Sequence, residues 1–196
     1  MEPGEWSCGI SDIEGKATRG GASERGQRTS FNRLSTAAQI AVALAGFAGV
    51  VVAFRSSSLH EWSLLDKYRL WLLLGSALVP FFSCLFGMLL LTIKATPFPI
   101  WRCCSGFSFL LTCIFGFLSR RRQSELGPAV IKEMGVYRYL FYVIAILGMA
   151  VGLLQAYNAL ASGVFWLFYA AIVFQLAIGT LQFARMILLP PHTSEA

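Results

Sequence analysis

From residue 35 onward the chain alternates between long uncharged apolar runs and short connectors that carry charge, proline or glycine. The runs cover about 35–54, 70–93, 100–118, 139–160 and 164–184. A helix rises 1.5 Å per residue, so about twenty residues cross the roughly 30 Å of a bilayer's hydrocarbon. Four of the runs meet that length directly. The third, Cys103 to Leu118, reaches it only with Ile100, Trp101 and a snorkelling Arg102. The pattern predicts an all-α fold, a polytopic transmembrane helical bundle of about five spans. The alternative is four spans with 103–118 re-entrant.

Finer spacing suggests how the spans meet. Small residues recur every fourth position in the first run: Ala37, Ala41, Ala45, Gly49 and Ala53. Small residues permit close helix approach in a membrane. Ala41, Ala45 and Gly49, with the Gly148-x-x-x-Gly152 pair of the fourth run, are the expected helix-packing positions. Pro80 lies inside the second run and predicts a kink, because proline removes one backbone hydrogen bond. The polar intramembrane candidates are amides: Gln39, Gln155, Gln175 and Gln182, with Asn158 beside them. They read as interhelical hydrogen-bonding groups or, in a sharper reading, as the lining of a small-molecule path with Pro80. Between the first two runs, Ser58-Leu59-His60-Glu61 and Ser63-Leu64-Leu65-Asp66 both match a helix-start pattern. Ser63 is the expected N-cap of the second helix. Trp62, Tyr68 and Trp71 fall where interfacial aromatics belong.

Composition supports the same class. Hydrophobic residues make up 56% and charged residues 13% of the 196, too little polar material to cover a water-facing surface. The net charge of +6 sits at the ends of apolar runs, which suits anionic headgroups and argues against nucleic acid. Residues 1–34 differ: glycine-rich, with charges of both signs. They predict a disordered polar N-terminal tail, or a stretch upstream of the true start. Residues 35–189 form a single helical domain and 190–196 a short C-terminal tail, with a possible short helix near Ala129–Met134 in the loop between the third and fourth runs. Five spans divide the basic residues almost evenly between the two sides, whereas four would gather them on one. The expected topology is five spans, with the Arg120–Arg122 loop cytoplasmic and the N-terminus outside.

Chemistry is sparse. No Asp, Glu, Lys, Arg or His occurs within the spans away from their ends, whereas ion-coupled transport relies on such groups. Two histidines cannot complete a metal site, and no nucleophile, zinc or phosphate-loop motif occurs. Cys84 and Cys113 read as small hydrophobes. No cofactor is expected. The runner-up chemistry is a membrane-surface enzyme using His60, Glu61 and Asp66 of the 55–69 connector.

Phe54-Arg55, Trp62, Asp66-Lys67-Tyr68-Arg69, Pro80, Trp101-Arg102, Arg120–Arg122 and Gln182-Phe183-Ala184-Arg185 together resemble a group of small bacterial multi-pass membrane proteins of unassigned activity. The resemblance covers about residues 35–189 and implies five apolar segments and no activity. The expected function is a non-enzymatic structural or interaction component of the inner membrane. Its expected partners are the lipid bilayer and itself or another membrane protein. The rival is a small permease or channel-like subunit.

Overall fold

The computed structural model describes residues 7–54, 64–93, 97–125 and 137–188. Among these only Ile93, Gly163 and Val164 lie outside a helix, and no strand occurs. The helices are α1 (Ser7–Phe54), α2 (Leu64–Thr92), α3 (Pro97–Glu125), α4 (Tyr137–Tyr157) and α5 (Phe165–Leu188). A wide π-helical turn, Asn158–Ser162, extends α4. Each α-helix holds a stretch long and apolar enough to cross a membrane: Glu24–Val50, Lys67–Thr92, Ile100–Glu125, Tyr142–Ser162 and Phe165–Ala184. This is the architecture of a multi-pass membrane protein.

Two boundaries differ from the sequence reading. The first helix begins at Ser7, inside the stretch expected to be a disordered tail. No proline interrupts residues 7–54, and low apolar content weakens burial rather than backbone hydrogen bonding. Hydroxyls there fold back onto the helix, with Thr29 donating to the Arg25 carbonyl at 2.9 Å and Ser30 to that of Gly26 at 3.0 Å. The chain divides into two units between Arg33 and Leu34. The third run is one unbroken helix of 29 residues, so 103–118 does not double back. Arg102 and Arg120–Arg122 lie inside the helix rather than ending it. The start of α2 at Leu64 places Ser63 just before it, but Ser63, His60, Glu61, Trp62, residues 126–136, where a short helix was expected near Ala129–Met134, and residues 189–196 lie outside the described residues.

From Leu34 to Ala196 the chain forms its own unit. Both α2 and α4 pack against α3 and α5, which leaves α2 and α4 diagonal across the interior. Neighbours in this ring are antiparallel. Tyr68 meets Ser119 and Ser83 meets Ser108 along α2–α3, and Gly152 meets Thr112 along α3–α4. The starts of α2 and α4 therefore share an end with the finishes of α3 and α5, the end carrying Arg120. From Leu34, α1 covers α2 and α5: Leu34 reaches Gly87, and Leu44 reaches Gly179.

The packing face of α1 corrects the expected stripe. Leu34, Ala37, Ala38, Ala41, Leu44 and Ala48 are buried, and Ala45 packs beside them. Leu34, Ala37, Ala41, Leu44 and Ala48 alternate spacings of three and four, the average that keeps a helix face on its partner. A strict spacing of four rotates about 40° per step. By Gly49 the expected stripe has turned outward, and a Cβ there would meet nothing within 4 Å.

Candidate functional site

The interior of a bundle built from apolar spans would be dry if apolar residues filled it throughout. Here α3 presents Ser105, Ser108 and Thr112 on one face, at spacings of three and four. They meet amides from α4 and α5. Ser83 of α2 donates to the Ser108 hydroxyl at 3.1 Å, and the Gln155 amide donates to the same oxygen at 3.2 Å. Gln175 donates to Thr112 at 2.9 Å, and Asn158 donates to Ser105 at 2.7 Å. Ser83, Ser105, Ser108, Gln155 and Asn158 are fully buried. The carbonyl oxygens of the Gln155 and Gln175 side chains have no hydrogen-bond partner among the described residues. In a low-dielectric interior, such acceptors carry a cost that the donors beside them only partly offset.

Asn158 also closes the α4–α5 connection. Its Oδ1 accepts from the Val164 N–H at 3.0 Å and its Nδ2 donates to the Val164 carbonyl at 3.1 Å. Gly163 adopts φ 61° and donates its N–H to the Asn158 carbonyl at 2.8 Å, a left-handed conformation that glycine takes without a Cβ clash. Arg102 donates to the carbonyls of Leu160 and Ala161 at 2.8 and 3.0 Å, which the π turn would otherwise leave without partners. Trp101 stacks near Phe165, with ring centres 4.7 Å apart. These contacts tie this end of the bundle together.

Toward the opposite end, a cavity of about 680 Å³ opens between diagonal α2 and α4, flanked by α3 and α5. Apolar groups dominate its walls, among them Leu72, Phe109, Phe115, Met149, Leu153 and Ile178. Ser76 and Thr112 are its inner polar groups, and Tyr68, Ser119, Arg120, Gln123 and Gln182 stand toward the end where α3 finishes. Among the described residues no acidic side chain lines it. Gln182 is 7% exposed, and it forms no hydrogen bond with any described residue. The hydroxyl of Ser119 is likewise buried without a partner among the described residues. Next to the cavity mouth, the Arg122 guanidinium lies 4.1 Å from the Trp71 ring centre.

The expected site residues fall into separate places. Gln155 and Gln175 join the amide–hydroxyl network, and Gln182 lines the cavity, so three of the four amides point inward. Gln39 is exposed on α1 and does not belong to either group. Gly148 and Gly152 were expected to seat a neighbouring helix: Gly152 lies against Thr112 of α3, while both also line the cavity, and a Cβ on Gly148 would meet nothing within 4 Å. Of the α1 positions, Ala41 is buried and Ala45 partly buried against the core, whereas Gly49 is exposed. Pro80 is fully buried within an uninterrupted α2. Its missing N–H frees the Ser76 carbonyl, and Gly179 of α5 lies against that residue: a Cβ there would meet Ser76 Oγ at 3.3 Å and its carbonyl oxygen at 3.7 Å. The Asp66 side chain, like His60 and Glu61, is outside what the structure describes. No three His, Cys, Asp or Glu side chains converge among the described residues.

The hydroxyl partners Ser83, Ser105, Ser108 and Thr112 were not among the expected site residues. Their signal was present as a helical stripe of small hydroxyls on α3, but serine and threonine also satisfy their own helix carbonyls, as Thr112 does toward Ser108 at 2.8 Å. Fold and site together define a helical membrane protein with a cavity between its helices. No protein-family model, curated protein or solved structure matches the chain.

Proposed function

We propose that the protein is a non-enzymatic component of the inner membrane that binds an amphiphilic small molecule in the cavity between α2 and α4. The observation that carries this reading is Gln182: an amide side chain 7% exposed, with no protein partner among the described residues, facing a space whose walls are mainly apolar. Its amide is left available to whatever enters that space. A ligand with an acceptor or donor at that point can pair with it, and its apolar part fills the remainder. Ligand cavities commonly pair apolar walls with a few placed polar groups in this way. The test is binding of an environment-sensitive fluorescent fatty acid to the purified protein in detergent. Filling the cavity with Gly148→Leu and Gly152→Leu should abolish the fluorescence gain while leaving the melting temperature within a few degrees. Unchanged binding in that folded variant refutes the proposal.

A second reading, a small permease, draws on the amide–hydroxyl groups that continue from Thr112 toward Ser105 beyond the cavity floor. It predicts solute leak from liposomes that Gln175→Leu reduces.

A further inference from the structure

We propose that the ligand of this cavity is an anionic phospholipid taken from the surrounding bilayer, its headgroup at Arg120 and an acyl chain running inward along α4. The inference rests on the binding function proposed above and adds the chemical class of the ligand.

Three observations carry it. The first is the order of polarity along the cavity. Arg120 and Gln123, in the last two turns of α3, stand at its outer end. Gln182 stands toward the same end: Gln175 bonds Thr112, and seven residues further along the parallel helices α5 and α3 are Gln182 and Ser119. Deeper still the walls are Phe109, Met149 and Leu153. A cation and an amide at one end, with hydrocarbon beyond them, is the arrangement that a phosphate–ester region and an acyl chain require. The second is charge. Arg120 contributes a cation to the lining, and no carboxylate among the described lining residues offsets it. Arg121 and Arg122 follow it on the same helix. The third is access. Met149, Leu153 and Ile146 line the cavity yet are 59–64% exposed, so the space opens sideways between helices, toward lipid. From Tyr142 to Leu153 the α4 wall extends about 16 Å, enough for a long stretch of acyl chain. The unpartnered Gln182 amide gives the ester region a hydrogen-bonding group that no described protein atom already occupies.

The test uses the full chain in mild detergent and native mass spectrometry with three lipids of identical acyl chains: phosphatidylglycerol, phosphatidylcholine and diacylglycerol. Phosphatidylglycerol should bind about fivefold more tightly than phosphatidylcholine, the effect of one cation near a headgroup. Arg120→Gln should remove that preference. Arg121→Gln makes the same charge change at an exposed residue outside the lining and should preserve it. Gln182→Leu should weaken phosphatidylglycerol and phosphatidylcholine alike, and inorganic phosphate should displace neither. Equal binding of all three lipids overturns the headgroup inference and leaves the cavity function standing. Equal loss in the Arg120 and Arg121 variants overturns the location, since it reports only the basic run. Displacement by phosphate alone overturns the lipid in favour of a free anion. Absence of all lipid binding overturns the cavity function itself.

Discussion

A buried amide in a membrane bundle is informative according to what it touches. Asn158 satisfies two backbone groups of Val164 and the Ser105 hydroxyl, so it secures the α4–α5 turn. Interhelical hydrogen bonds in membranes average about 0.6 kcal/mol each. Asn158→Leu should therefore cost about 2 kcal/mol, visible as a lower melting temperature in detergent. Gln182→Leu should behave in the opposite way, because it replaces an amide without a described partner by an apolar group: stability unchanged or raised, with ligand binding lost. Gln39→Leu on the exposed face of α1 should alter neither property. If Gln182→Leu destabilised the protein as much as Asn158→Leu, Gln182 would be a structural group and not a ligand contact.

Helices report their partners through the positions that tolerate no side chain. A Cβ at Gly75 of α2 would run into the Phe115 ring of α3, so the ring must move for any substitution there. Gly75→Ala should lower thermal stability by about 1–3 kcal/mol, the range for overpacking. Combining it with Phe115→Leu should recover part of that loss. Gly49→Leu, at a position with open space around it, should leave the melting temperature unchanged. The contrast shows why the four-residue stripe in the sequence was only half right. It was drawn on a straight line that a helix of 3.6 residues per turn does not follow, so Ala37 and Ala41 met the core and Gly49 did not. For the same reason Gly148-x-x-x-Gly152 was read as a seam, although spacing alone does not distinguish a glycine that admits another helix from one that leaves room for a ligand.

The whole molecule places its two ends in different chemical settings. The Trp101 end is tied together by Asn158, Gly163 and Arg102, and the cavity lies toward the Arg120 end. With α3 crossing the membrane, Cys103 near its start and a cysteine introduced at Ser124 near its finish should react with a membrane-impermeant thiol reagent from opposite sides of oriented vesicles. Cys103 is exposed, and so is Ser124. Labelling of both from one side would mean that α3 does not cross. The Arg120–Arg122 side is expected to be cytoplasmic under the positive-inside bias.

What the sequence alone determined was the class and the elements. Hydrocarbon demands long uncharged runs with internally satisfied backbones, and that demand is written residue by residue in the five apolar stretches, with Gly163 marking the turn between the last two. It also marked four amides, because polar side chains stand out against an apolar background, and three of them face inward in the bundle. Only the tertiary structure decided what those groups face. The amides Gln155 and Gln175 meet hydroxyls on α3, and Gln182 meets a cavity. A residue's partner in a bundle is set by helix rotation and by the diagonal separation of α2 from α4, quantities that emerge when all five helices pack together and that no single helix records.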